Sequence, residues 1–295
     1  MPFPVISHII KSYKDAVDCR RVKSALLSFG RSHSACVSEY RRLLRASSLD
    51  EVFIVVKDNF WWCAQYADFV DIILRFRSQF AAHQLWVNQN VQLRSGEGFL
   101  LVTDGVAEAK SLASSSVLNI KVQGSATVVA EGSVDSTVIV KCYDTSHLQA
   151  HSYGSSLLHV DGYGSSELHL DSHLGSSLRV KCWDSALVHI DSWDRSTLHM
   201  DCYDSSVVKV ACHHLTTAYV ESFNNSTVQG TSCDSSVFNA GLYHSSTFFV
   251  KGCWRSTILL RTSGVGLALA EASVVRDLFH HRIFLAEGSP VAVKA

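Results

Sequence analysis

The stretch Lys181–Ser206, KCWDSALVHIDSWDRSTLHMDCYDSS, repeats one ten-residue phrase. Each phrase opens on an aromatic (Trp183, Trp193, Tyr203), passes a turn residue and small hydroxyl or alanine positions, then alternates apolar with polar. Alternation with period two marks a strand with one buried and one wet face. Asp and Gly supply the corner, Gly by tolerating positive φ and Asp by bonding its own backbone. One decapeptide is therefore one strand plus one tight turn.

The phrase runs from about Lys121 to Leu260 with almost no slippage. Small residues recur at Ser136, Ser146, Ser156, Ser166, Ser176, Ala186 and onward in tens, followed two places later by Val138, Leu148, Leu158, Leu168, Leu178 and Val188. No single strand of this kind can hide its apolar face alone. Stacked into a parallel coil the strands share one core, which predicts a mainly β protein, a β-solenoid or β-helix of decapeptide repeats. Grouping by twenty puts Tyr143, Tyr163, Trp183, Tyr203, Phe223 and Tyr243 on one corner, with Asp144, Gly164, Asp184, Asp204 and Asn224 beside them. The other corner receives Tyr153, His173, Trp193, His213, Cys233 and Cys253. Grouping by thirty, as in a triangular coil, mixes these types. The expectation is therefore about two strands per coil, with an inward serine column forming a hydrogen-bonded ladder along the stack.

Residues 1–90 read as an α-helical head of three to five short helices. Ser48 is a candidate N-cap with Glu51 three places on, and Phe69, Ile72, Ile73, Phe76 and Phe80 line one side of a later helix. Lead-in strands are expected over 91–120, the repeat over 121–260, and a C-terminal cap over 261–295 with a strand pair around Gly288-Ser289-Pro290. Atypical ends suit a solenoid, whose terminal strand edges invite association with another copy.

A net charge of −1 advertises no nucleic-acid or anionic-membrane surface. No apolar run approaches the ~18 residues of a membrane span. Nine cysteines without a C-x-x-C pair, several at inward positions, fit buried thiols in a reducing, cytoplasmic setting. P-loop, G-x-G-x-x-G, H-E-x-x-H and G-x-S-x-G signatures are absent from the sequence, so no catalytic residue and no cofactor is assigned. Stacking by twenty does lay His147, His151, Glu167, His169, Asp171, His189 and Asp191 on one outer face, a set that suits a divalent metal or acid–base chemistry. The opposite face carries His159, Asp161, Arg179, Lys181, His199 and Asp201, a charge-compensated lattice. The ladder Tyr143 to Tyr243 offers a rigid aromatic edge for a sugar or a protein.

The phrases YDSSVVKV, YGSSLLHV and WDSALVHI resemble the tandem decapeptides of bacterial and prophage β-solenoid proteins built on a (Y/W)-(D/G)-S-S-x-V-x-A theme. The resemblance covers roughly residues 121–260 and implies a solenoid of bacterial or phage origin, without an activity. This chain carries Val or Leu where the theme often has Ala, so the width of the core does not transfer. The expected function is a non-catalytic scaffold or binding module for a protein partner, encoded by a mobile element or phage. The alternatives are a carbohydrate-binding or carbohydrate-cleaving β-helix, and a self-assembling or phage structural protein.

Overall fold

The computed structural model describes residues 4–252, 256–264, 267–271, 275–277 and 283–285. Contacts divide the chain into two units, Met1–Val87 with Gly98–Leu101, and Asn88–Glu97 with Val102–Ala295.

The first unit holds six helices among the described residues: α1 (Pro4–Ser32), α2 (Val37–Arg45), α3 (Leu49–Asp58), α4 (Phe60–Cys63), α5 (Ala67–Arg75) and α6 (Arg77–Ala82). The expected three to five short helices are corrected at two places. The segment 5–29 contains neither Gly nor Pro, so α1 runs unbroken over 29 residues. Conversely, the side chain of Asn59 turns back to donate to the Val55 carbonyl at 2.8 Å, at the junction of α3 and α4. Ser48 caps α3 as expected, its Oγ accepting from the Glu51 amide at 3.2 Å. The Glu51 carboxylate in turn accepts from the Ser47 amide at 2.6 Å. Val22, Phe53, Phe60, Phe69, Ile73 and Phe80 form the centre of this unit's core. A short strand, Leu85–Val87, pairs in parallel with Phe99–Leu101.

The second unit is a parallel two-walled β-solenoid. On the front wall Leu157 pairs with Ser177 and Ser177 with Thr197; on the back wall His147 pairs with Glu167 and Glu167 with Leu187. Residues twenty apart thus lie directly over one another. Parallel pairing also continues outside 121–260, with altered spacing: Val91 pairs with Ala109, Ala107 with Val128, Ile258 with Val275, and Ala268 with Ile283. The expected strand pair around Gly288-Ser289-Pro290 lies outside the described residues.

Burial follows the pattern of the phrase. Leu178, Val180 and Cys182 point inward and are almost wholly buried, as are Leu198, Met200 and Cys202 on the next rung. Each fully buried Val or Leu contributes roughly 1.5–3 kcal/mol. The serine column differs from the expected ladder. Its hydroxyls bond across the coil, Ser152 to Ser156 at 2.9 Å and Ser172 to Ser176 at 2.8 Å, and reach back to a carbonyl of the preceding rung. Ser222 with Ser226 and Ser232 with Ser236 make the same bond, each between serines four residues apart. At Ser166 and Ser206 the position four residues earlier is Gly162 and Cys202, and the buried Oγ has no hydrogen-bond partner.

Candidate binding surfaces of the solenoid

The six ladder residues come together on the first corner, which leads from the front wall to the back. Tyr143 and Tyr163 stack with centroids 4.9 Å apart, Trp183 and Tyr203 at 3.9 Å, Tyr203 and Phe223 at 5.0 Å, and Phe223 and Tyr243 at 4.8 Å, all within 10° of parallel. Tyr163 and Trp183 continue the column at 6.4 Å. Ring faces are therefore spent on one another and ring edges look outward. Burial, with a smaller contribution from Tyr163, pushes the Tyr143 phenol up to about 12. The Lys121 ammonium lies 5.0 Å from the Tyr143 ring centroid. Beside the rings, the turn residues Asp144, Gly164, Asp184, Asp204 and Asn224 all have positive φ. They tie rungs together: Asp144 accepts from the Gly124 amide and Asp184 from the Gly164 amide, both at 3.0 Å. Asn224 Nδ2 donates to Asp204 Oδ1, also at 3.0 Å.

The second corner, leading from the back wall to the front, also carries a ring column, in which histidines take aromatic places. Tyr153 stacks on His173 at 5.4 Å, His173 on Trp193 at 6.5 Å, and Trp193 on His213 at 3.9 Å. Cys233 follows, half-buried, and Cys253 lies outside the described residues. Turn chemistry here is different. Val134 and Leu174, each with φ of 56°, and Leu215, with φ of 64°, occupy left-handed turn positions. They are 52%, 65% and 51% exposed. A left-handed conformation costs an L-residue roughly 1–2 kcal/mol, and for a β-branched side chain it is a true outlier. Three apolar side chains thus sit where both backbone and solvent disfavour them. Sequence reasoning missed these residues. The signal was an apolar letter in the corner, where other rungs have Asp, Gly or Asn in place of Val134 and Leu174, and Ser, Gly or Arg in place of Leu215.

The outer faces of the two walls are lattices of paired charge. On the back wall Glu167 is shared, its carboxylate lying 3.1 Å from His169 Nε2 and 3.2 Å from His147 Nε2. The bond from His169 holds the Glu167 carboxyl below its ordinary value. His151 Nδ1 lies 2.9 Å from Asp171. The His169 and His189 rings meet edge to face at 4.9 Å, and His189 Nε2 is buried without a hydrogen-bond partner. Burial, and then the neighbouring His169, lower the His189 pKa. Asp171 and Asp191 are register neighbours. The seven residues therefore share one face but do not gather at one point: His147 and His169 meet at Glu167 with His189 against His169, and His151 pairs separately with Asp171. Among the described residues no three His, Cys, Asp or Glu side chains converge as a metal site would require. On the front wall Asp161 lies 3.2 Å from His159 and 3.5 Å from Lys141, and Lys181 lies 3.8 Å from Asp201. Burial would raise the Asp161 carboxyl, but the hydrogen bond with His159 and the neighbouring Lys141 outweigh it and leave the pKa lowered.

No helix among the described residues is long and apolar enough to cross a membrane. No protein-family model, curated protein or solved structure matches the chain.

Proposed function

We propose that the chain is a non-catalytic scaffold whose solenoid presents a rigid edge to a protein partner, and that the second corner is the edge that makes contact. The observation that carries this reading is the trio Val134, Leu174 and Leu215, apolar, exposed and held at positive φ. The first-corner counterparts of Val134 and Leu174, among them Asp144, Gly164, Asp184 and Asn224, are residues that suit such turns, while Leu215 stands one place later, where neighbouring rungs have Arg195 and Ser235. A residue that breaks its local rule without a gain in packing is expected where function sets the choice. Exposed apolar side chains on a rigid frame also lose little entropy on docking. The first-corner ladder supports a protein rather than a sugar as the partner class, because its ring faces are already stacked.

The test compares the wild-type chain with the triple variant Val134→Asn, Leu174→Asn and Leu215→Asn. Asn tolerates the left-handed region, so the variant should melt at a higher temperature. It should also lose the partner that the wild type recovers from a lysate, as judged by quantitative mass spectrometry. A variant that gains stability yet recovers the same proteins in the same amounts would remove the second corner from the interface.

A further inference from the structure

The helical unit contains a cavity of about 250 Å³ between α1, α2, α3 and α4. Its buried floor is Leu26, Phe29, Leu43, Val55 and Val56, and the half-buried Trp62 lies along one side. An apolar cavity of ~150 Å³ accepts benzene, so this one has room for a fused bicyclic ring. Ligand sites characteristically pair such an apolar floor with a few polar groups that fix orientation.

Those polar groups are at the rim, and they are hydrogen-bond acceptors. Asn59 lines the cavity, and its Nδ2 already donates twice, to Glu39 Oε2 at 3.0 Å and to the Val55 carbonyl at 2.8 Å. Its Oδ1 accepts no hydrogen bond from a described residue. Glu39 Oε2 accepts from Asn59 and from Arg42 at 3.2 Å, and the second carboxylate oxygen accepts no hydrogen bond from a described residue. The exposed Cys36 thiol completes the rim, 3.1 Å from Ser38 Oγ at the start of α2. Its bond to Ser38, and then the backbone amides of Ser38 and Glu39, lower the thiol pKa and favour the anion. The Tyr40 hydroxyl is engaged by Arg31 at 3.2 Å.

We propose that this cavity is a binding site for a small aromatic molecule carrying an N–H donor, its ring seated on the apolar floor and its N–H directed to Asn59 Oδ1 or the Glu39 carboxylate. The site belongs to the helical unit and is independent of the solenoid corner proposed above. The floor supplies affinity and the acceptor rim supplies discrimination, since a ligand that buries the rim without donating to it leaves those acceptors unpaired.

Indole and benzofuran, a matched pair differing in N–H against ring oxygen, test this on the full chain. Calorimetry should give one site for indole, with benzofuran at least tenfold weaker. Saturating indole should slow iodoacetamide alkylation of Cys36 severalfold, read by peptide mass. Cys63, buried and pushed up to about 12 by burial, serves as the unreactive control. Ala35→Leu, which adds bulk at a half-buried lining position outside the helices, should abolish both signals while leaving the circular dichroism unchanged. The ligand pair decides the matter even if that variant does not fold. No indole binding and no protection of Cys36 at millimolar concentration would overturn the site. Equal binding of indole and benzofuran would overturn the donor requirement.

Discussion

Gly164→Ala should destabilise the solenoid far more than Gly154→Ala, although both glycines have positive φ, 68° and 62°. The two positions share one cost. An alanine held in the left-handed region loses roughly 1–2 kcal/mol, partly offset by the ~0.4–1 kcal/mol it gains from a less flexible unfolded chain. Gly154→Ala should therefore lose about 1 kcal/mol, because the nearest backbone atom to its new Cβ is Val134 N at 3.8 Å. At Gly164 the same Cβ would lie 3.0 Å from the Asp144 carbonyl oxygen, 3.2 Å from its nitrogen and 3.3 Å from its Cα. All three are backbone of the rung below, so relief requires one rung to move against another. Overpacking of this kind costs typically 1–3 kcal/mol, which brings the expected loss at Gly164 to about 2–4 kcal/mol. Urea unfolding followed by circular dichroism would read the difference as a shift in midpoint at constant slope. Hydrogen exchange would localise it. The Ser165 amide donates to the Asp144 carbonyl at 2.8 Å and should lose protection in Gly164→Ala alone. Gly175, with φ of 81° and nothing within 4 Å of an added Cβ, is the second control. Equal losses at all three positions would refute the close approach of rungs at the first corner.

Ser176→Ala should cost about 1–2 kcal/mol, since its Oγ pairs with Ser172 and donates to the Ser152 carbonyl. Ser166→Ala should be neutral or stabilising, because it removes a buried hydroxyl without a partner; urea midpoints of the two variants check the contrast. Lys121→Met should flatten the alkaline limb of the stability curve. Burial holds the Lys121 ammonium down to about 8, whereas the unfolded chain keeps its proton to about 10.4. The unfolded state therefore binds more protons between those values, and wild-type stability should rise as pH climbs through that window. Equilibrium unfolding at pH 7 to 10.5 would show the rise in the wild type and its loss in the variant. Added zinc should leave the urea midpoint unchanged, because Glu167 is shared between His147 and His169, and Asp171 is paired with His151. A midpoint that climbs with zinc would mean that these side chains regroup around the ion.

The fold of the repeat was legible because one letter in two faces the core and the phrase never slips. Leu168, Leu170, Leu178 and Val180 are buried where period two places them. The first-corner ladder was legible for the same reason, since residues twenty apart are register partners and need no further packing rule. The ring column of the second corner was harder to read, because His173 and His213 complete it and histidine reads in sequence as a polar residue. The serine network was read as a ladder along the stack; its hydroxyls do reach a carbonyl of the preceding rung, but their serine partners stand within the same coil. Ser176 has Ser172 four residues earlier and pairs with it, whereas Ser166 has Gly162 there and is left without a partner. The cavity of the helical unit left no local signal. Leu26, Leu43, Val55 and Trp62 come from four helices, and each alone reads as an ordinary core position.

A repeat also supplies its own controls, and this bears on how the two corners are to be compared. Every rung asks the same question of its turn residue: which side chain tolerates positive φ while facing water. At the first corner the answers are Asp144, Gly164, Asp184, Asp204 and Asn224, and the carboxylates and amide repay the backbone by bonding the neighbouring rung. At the second corner Asp194 and Asp234 give the same answer, and His214 lies 3.4 Å from the first and 3.7 Å from the second. Val134 and Leu174 interrupt that pattern on other rungs of the same edge, and Leu215 follows His214 at the place where Arg195 and Ser235, both with φ of 65°, follow the two aspartates. Since Asp194 and Asp234 are accommodated at positions equivalent to Val134 and Leu174, and Arg195 and Ser235 at positions equivalent to Leu215, backbone geometry does not force an apolar residue there. Burial does not reward it either, with each of the three more than half exposed. On the reading proposed above, what distinguishes these rungs acts from outside the isolated chain, since a surface that covers the three side chains would repay both the strain and the exposure.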